Sequence, residues 1–176
     1  MIGSAPRRFE LPILSAAGLC CILFGAISPV LADARQDCFK KSGEPAIRAC
    51  SEAIAHNPAD AVSYVNRAFE YQQRADYAGA ISDYSKAITL DPNRWDAFQG
   101  RAWVYLKMGR PANALADVER SLQLNANQAQ TLDTRGLIME ALGRREDAIA
   151  DFRRALAIEP RLQGSRDGLK RLGASP

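Results

Sequence analysis

Apolar residues recur along this chain at helical spacing, and the whole pattern returns at one constant interval. The stretch DYAGAISDYSKAITLDPN, Asp76 to Asn93, comes back as RPANALADVERSLQLNAN, Arg110 to Asn127, and again within REDAIADFRRALAIEPRL, Arg145 to Leu162. Aligned in phase, the chain divides into units 61–94, 95–128 and 129–162. Each unit predicts a helix of about 14 residues, a turn near Ala75, Gly109 or Gly143, and a second helix ending near Asp91, Asn125 or Glu159. A single core has no use for a constant interval, whereas a stack of like hairpins requires one.

Within each unit, size recurs as well as polarity. Tyr64, Phe98 and Leu132 form a large column, Ala68, Ala102 and Gly136 a small one, and Tyr71, Tyr105 and Met139 another large one. In the second helix Ala80, Ala114 and Ala148 are small, Tyr84, Val118 and Phe152 are large, and Ala87, Ser121 and Ala155 are small again. Pro92 and Pro160 close their units, while Ala126 departs from that proline. This arrangement resembles the tetratricopeptide repeat, a helix-turn-helix unit of about 34 residues. The resemblance implies an all-α fold, a right-handed α-solenoid of antiparallel helix pairs. It extends back into PAIRACSEAIAHNP, where Ala46, Ala53 and Pro58 fill second-helix columns. Residues 33–60 are therefore expected to form a degenerate N-terminal repeat, with a shortened first helix and a tighter turn. At the other end, 163–176 reads as a solvating helix with Leu162, Leu169 and Leu172 on one side.

One departure from the family pattern itself repeats. Arg67, Arg101 and Arg135 stand where leucine is usual, and Asp83, Asp117 and Asp151 precede the large second-helix residue. Folding each hairpin about its turn brings Arg67 level with Asp83, Arg101 with Asp117 and Arg135 with Asp151, which predicts three pairs. If partly exposed, each contributes only about 0–1 kcal/mol.

The ends differ from the repeats. Residues 1–32 carry Arg7 and Arg8, an apolar run from Leu11 to Ile27, and SPVLA, with Val30 and Ala32 three and one before a cut. This reads as a secretory signal, residues 1–32, that leaves Asp33 as the mature N-terminus. Export into the periplasm of a bacterial-type envelope is the expectation. An uncleaved N-terminal anchor is the alternative, because the run lies at the lower length limit for spanning a bilayer. Cys20 and Cys21 leave with the signal, and Cys38 and Cys50 remain. An even pair in an exported protein favours a disulfide, and a hairpin centred near Glu44 sets the two opposite one another. Two buried free thiols are the other reading.

Composition narrows the function classes. Arg7, Arg8 and Glu10 also leave with the signal, so 21 of 23 basic and 19 of 20 acidic residues stay. Basic and acidic residues alternate, without the concentrated basic face of a nucleic-acid binder. Alanine is abundant and strand-like runs of valine, isoleucine and threonine are missing, as expected of an all-helical chain. No phosphate loop, dinucleotide fingerprint, G-x-S-x-G or H-E-x-x-H occurs, and His56 is the single histidine. No catalytic, cofactor-binding or metal-ligating residue is expected.

The family resemblance implies a concave surface lined by first helices that holds a protein or peptide partner. Carried onto this chain, the inward positions are Asn66, Phe69, Gln73, Gln99, Trp103, Lys107, Asp133, Leu137 and Glu140. Phe69, Trp103 and Leu137 form a ladder at the repeat period. They anchor a partner if the face is open, or pack against adjoining repeats if it is not. Chaperone-binding members grip a C-terminal carboxylate with Lys, Arg and Asn residues. Here Asn66 stands beside Val65, Phe69 and Gln99, so that clamp is not reproduced. A scaffold or adaptor is the first functional expectation. A self-assembling structural module, or a membrane-tethered subunit of a secretion or assembly complex, is the alternative.

Overall fold

The computed structural model describes residues 29–175. Within them the chain forms helices alone, in the order α1 (Pro29–Lys40), α2 (Glu44–His56), α3 (Ala61–Gln73), α4 (Tyr77–Leu90), α5 (Trp95–Lys107), α6 (Pro111–Leu124), α7 (Ala129–Ala141), α8 (Arg145–Ile158) and α9 (Gln163–Arg171). The predicted signal lies outside the described residues up to position 28, and α1 runs through the expected cut after Ala32.

Each helix packs against its neighbours in sequence, and each odd-numbered helix also touches the next odd-numbered one. Among the described residues, even-numbered helices do not touch one another. The contacts there are strictly local along the stack, which defines a solenoid and spreads the core along its length. The small columns make the close approaches: Ala68, Ala80, Ala87, Ala102, Ala114, Ala148 and Ala155 are all fully buried. Between them sit the large residues Tyr84, Val118 and Phe152, at most 2 % exposed.

The turns explain why the hairpins close alike. The middle residue of each three-residue turn takes the left-handed conformation, at φ 59° for Ala75, 69° for Gly109 and 75° for Gly143. Glycine enters this region freely, whereas alanine carries a Cβ that collides there. Asp60 and Asp76 cap α3 and α4 by accepting from the amides of Val62 and Gly79.

The first repeat does not have the tighter turn expected of it. Its turn also has three residues, but the left-handed one, Gly43 at φ 66°, has moved next to α2. Helix α2 has 13 residues against 14 in α4. At the far end α9 is more than a solvating helix. It occupies the position of a further first helix against α7 and α8, and its Leu169 is fully buried against the cluster around Phe152.

Candidate protein-interaction surface

Because α1, α3, α5, α7 and α9 touch in succession, their shared side is one continuous face. On it Phe69 is 48 % exposed, far more than a large apolar residue needs for packing alone. Gln73 and Lys107 are exposed and Trp103 is half-buried. The Lys107 ammonium lies 5.7 Å from the centre of the Trp103 ring, a cation–π pair that holds the indole in place. The Gln99 amide donates to Thr134 Oγ1 on the next first helix at 3.4 Å, and Asn66 donates to Cys38 Sγ at 3.8 Å. These two side chains stitch neighbouring repeats together.

In the third repeat the predicted residues have partners within the chain. Asp133 accepts from Ser165 Oγ of α9 at 2.6 Å. Burial pushes its carboxyl above the usual range, with the Ser165 bond and the Arg171 charge pulling it part of the way back. Leu137 packs against the cluster containing Met139, Phe152 and Leu169. Glu140 accepts two bonds from Arg171, at 3.0 and 2.7 Å. The open stretch is thus narrower than the sequence pattern implies, and centres on Phe69, Gln73, Trp103 and Lys107. One further member was missed. Phe39, 52 % exposed, stands one repeat period before Gln73, and carrying the columns back into the degenerate repeat would have found it.

Behind this face the three predicted arginine–aspartate pairs all form, and each is bidentate. Arg67 donates to Asp83 at 2.6 and 2.9 Å, Arg101 to Asp117 at 2.7 and 2.8 Å, and Arg135 to Asp151 at 2.7 and 2.5 Å. The hydrogen bonds to these carboxylates hold all three guanidinium groups above their ordinary pKa. The aspartates are buried, so the surface-pair energy expected from sequence does not apply. A buried carboxylate stripped of its partner is far more costly than an exposed pair is valuable. Arg67 and Arg101 also reach across repeats, donating to Ser51 Oγ at 3.0 Å and Ser85 Oγ at 2.9 Å. Those serines were legible too, since each lies 16 residues before its arginine.

Cys38 and Cys50 lie with their sulfur atoms 2.05 Å apart, a bonding distance. Cys50 occupies the column of Tyr84, Val118 and Phe152, and Cys38 stands 12 residues before it. In the next repeat Tyr84 donates its hydroxyl to Gln72, again 12 residues back. The cysteine pair thus stands where Tyr84 and Gln72 tie the two helices of the next hairpin together.

The tetratricopeptide repeat family matches this sequence at residues 61–94, 84–116 and 129–162. The chain belongs to that family. No curated protein matches it. Among solved structures it is similar to MamA from Desulfovibrio magneticus RS-1, with 22 % identity and a TM-score of 0.74 over 84 % of this chain and 86 % of that one. It is also similar to the first tetratricopeptide domain of human RPAP3, at 26 % identity and a TM-score of 0.63 over 66 % and 92 % of the two chains. The first such domain of Spaghetti, solved bound to the HSP90 peptide SRMEEVD, is 26 % identical with a TM-score of 0.62 over 64 % and 90 %. Within this tetratricopeptide chain the repeated departure, arginine in place of leucine, supplies the donors of the buried pairs.

Proposed function

We propose that the chain is an exported adaptor that holds a peptide or protein partner on the face formed by its first helices. The family is one of protein-interaction scaffolds, and a similar domain has been solved with a peptide bound. The observation that carries the reading is the ladder of Phe69 and Trp103 on adjacent first helices, the one 48 % exposed and the other held by Lys107. Exposed aromatic residues on a rigid helical face supply anchor energy at little entropic cost. The signal-like N-terminus supports export, and an oxidising compartment would let Cys38 and Cys50 bond.

The test is affinity capture from an envelope extract with wild type beside Phe69→Ala and Trp103→Ala. Loss of the captured partner at an unchanged melting temperature supports the face as the binding site. A large fall in stability, with binding preserved in the protein that remains folded, would return both residues to packing. The mass of the exported product checks the localisation, since cleavage after Ala32 predicts an N-terminal Asp33.

A further inference from the structure

We propose that the cleft between α8 and α9, away from the face of first helices, is a second docking site that takes an acidic amphipathic helix from a partner protein. The cleft encloses about 950 Å³, with Leu156, Ala157 and Pro160 as an apolar floor and Arg153, Arg166 and Lys170 around it.

The repeat geometry says what kind of body belongs there. The first helices α3, α5 and α7 each present three columns to the second helix of their hairpin: a large residue, a small one, and a second large one. In α9 and the turn after it these columns carry Arg166 in place of Tyr64, Phe98 and Leu132, Lys170 in place of Ala68, Ala102 and Gly136, and, just past the helix, Gly173 in place of Tyr71, Tyr105 and Met139. A second helix of the family's own pattern brings alanine and a large apolar residue to this side. It cannot approach closely where a lysine replaces the small residue, nor bury that lysine unpaired. The seat keeps its helical shape while its chemistry asks for carboxylates.

The charges are available. Arg67, Arg101, Arg135 and Arg171 are all committed to carboxylates. Arg153 donates instead to the carbonyl of Ser175, at 3.2 and 3.0 Å, and Arg166 to that of Pro160 at 2.7 Å. Those bonds orient the guanidinium groups without neutralising them. Among the described residues none of Arg153, Arg166 and Lys170 forms an ion pair, and the nearby Asp167 accepts from Gln163 on its own helix. A helix with a leucine stripe flanked by glutamates would cover the floor and meet the cations along its edges.

The probe is a labelled synthetic helix of about 14 residues, the length of α8, with leucines along one stripe and glutamates beside it. Its binding to the full chain is followed by fluorescence polarisation, beside a twin with lysine for glutamate and beside phosphatidylglycerol vesicles. The glutamate peptide should bind, the lysine twin should not, and added salt should weaken the complex. Arg166→Glu with Lys170→Glu should lower affinity by at least about tenfold, the milder Arg166→Gln with Lys170→Gln by less, and Trp103→Ala not at all. Circular dichroism establishes that the variants fold. Absence of binding, equal binding of the lysine twin, or equal affinity in the charge-reversed chain would overturn the proposal. So would loss of binding in Trp103→Ala, which places the peptide on the first-helix face, or charge-dependent capture of the vesicles alone, which assigns the cleft to lipid.

Discussion

Tyr84 fills the space that Gly100 leaves open. A Cβ built on Gly100 would lie 2.5 Å from Tyr84 Oη and 2.6 Å from Cε1, and the ring is 2 % exposed, with no room to retreat. The relation recurs further along the stack, where Phe152 lies against Gly168 so tightly that a Cβ there would meet Cε2 at 2.5 Å. Each glycine stands at the same column, on the first helix of the unit that follows its aromatic residue. Where the second-helix residue is smaller, Cys50 or Val118, the corresponding positions hold Asn66 and Thr134. Volume is thus exchanged across each repeat boundary.

Gly100→Ala should therefore destabilise the chain by about 1–3 kcal/mol despite the better helix propensity of alanine. Tyr84→Val should recover much of that loss in the double variant. A urea-unfolding cycle in which the two substitutions are additive would show that the contact is not the cause.

The arginine–aspartate pairs give an asymmetric expectation. Arg101→Ala leaves Asp117 buried without its two donors and should cost about 3 kcal/mol, whereas Ser85→Ala removes one side bond and should cost about 1 kcal/mol. Arg101→Met with Asp117→Leu should return close to wild type. Equal losses for the single arginine and serine variants would remove the energetic role assigned to the pair.

Ala75 is the one non-glycine residue in the left-handed region among the described residues. Ala75→Gly relieves its Cβ clash but loosens the unfolded chain, so a net gain of about 0.5–1 kcal/mol is expected. Differential scanning calorimetry reads it as a rise in melting temperature of about 1–4 °C. A fall would mean the turn is not strained.

The Cys38–Cys50 link closes a loop with a separation of 12 residues. Replacing both by serine should cost about 3 kcal/mol on the chain-entropy account and should loosen α1 and α2 first. Hydrogen exchange checks the locality, since stacked repeats couple mainly to their neighbours. Uniform loss of protection through α8 would contradict it.

Asp133 sets a pH dependence. Its folded pKa is raised by burial, so its contribution favours the folded state while the carboxyl is protonated and is lost as pH rises through the raised value. Asp133→Asn should match wild type below about pH 4 and become the more stable chain toward neutrality. A constant difference across that range would exclude titration of this group as the cause.

The unit, the turns, the columns and the three ion pairs were all legible before any helix was placed in space. A hairpin folded about a known turn sets which residues lie level, so Arg101 and Asp117 could be matched from their interval alone. The cysteine pair was legible for the same reason. Which positions stay open was not. Phe69 and Asp133 both occupy predicted inward positions, yet the first is exposed while the second lies against Ser165 of α9. Nor could the pattern tell that Gly100 answers Tyr84, or that Arg166 and Lys170 line a cleft. Periodicity reports the direction in which a side chain leaves its helix, a local property. Burial depends on what the next helix brings to the same place, and that is settled only when the helices stack.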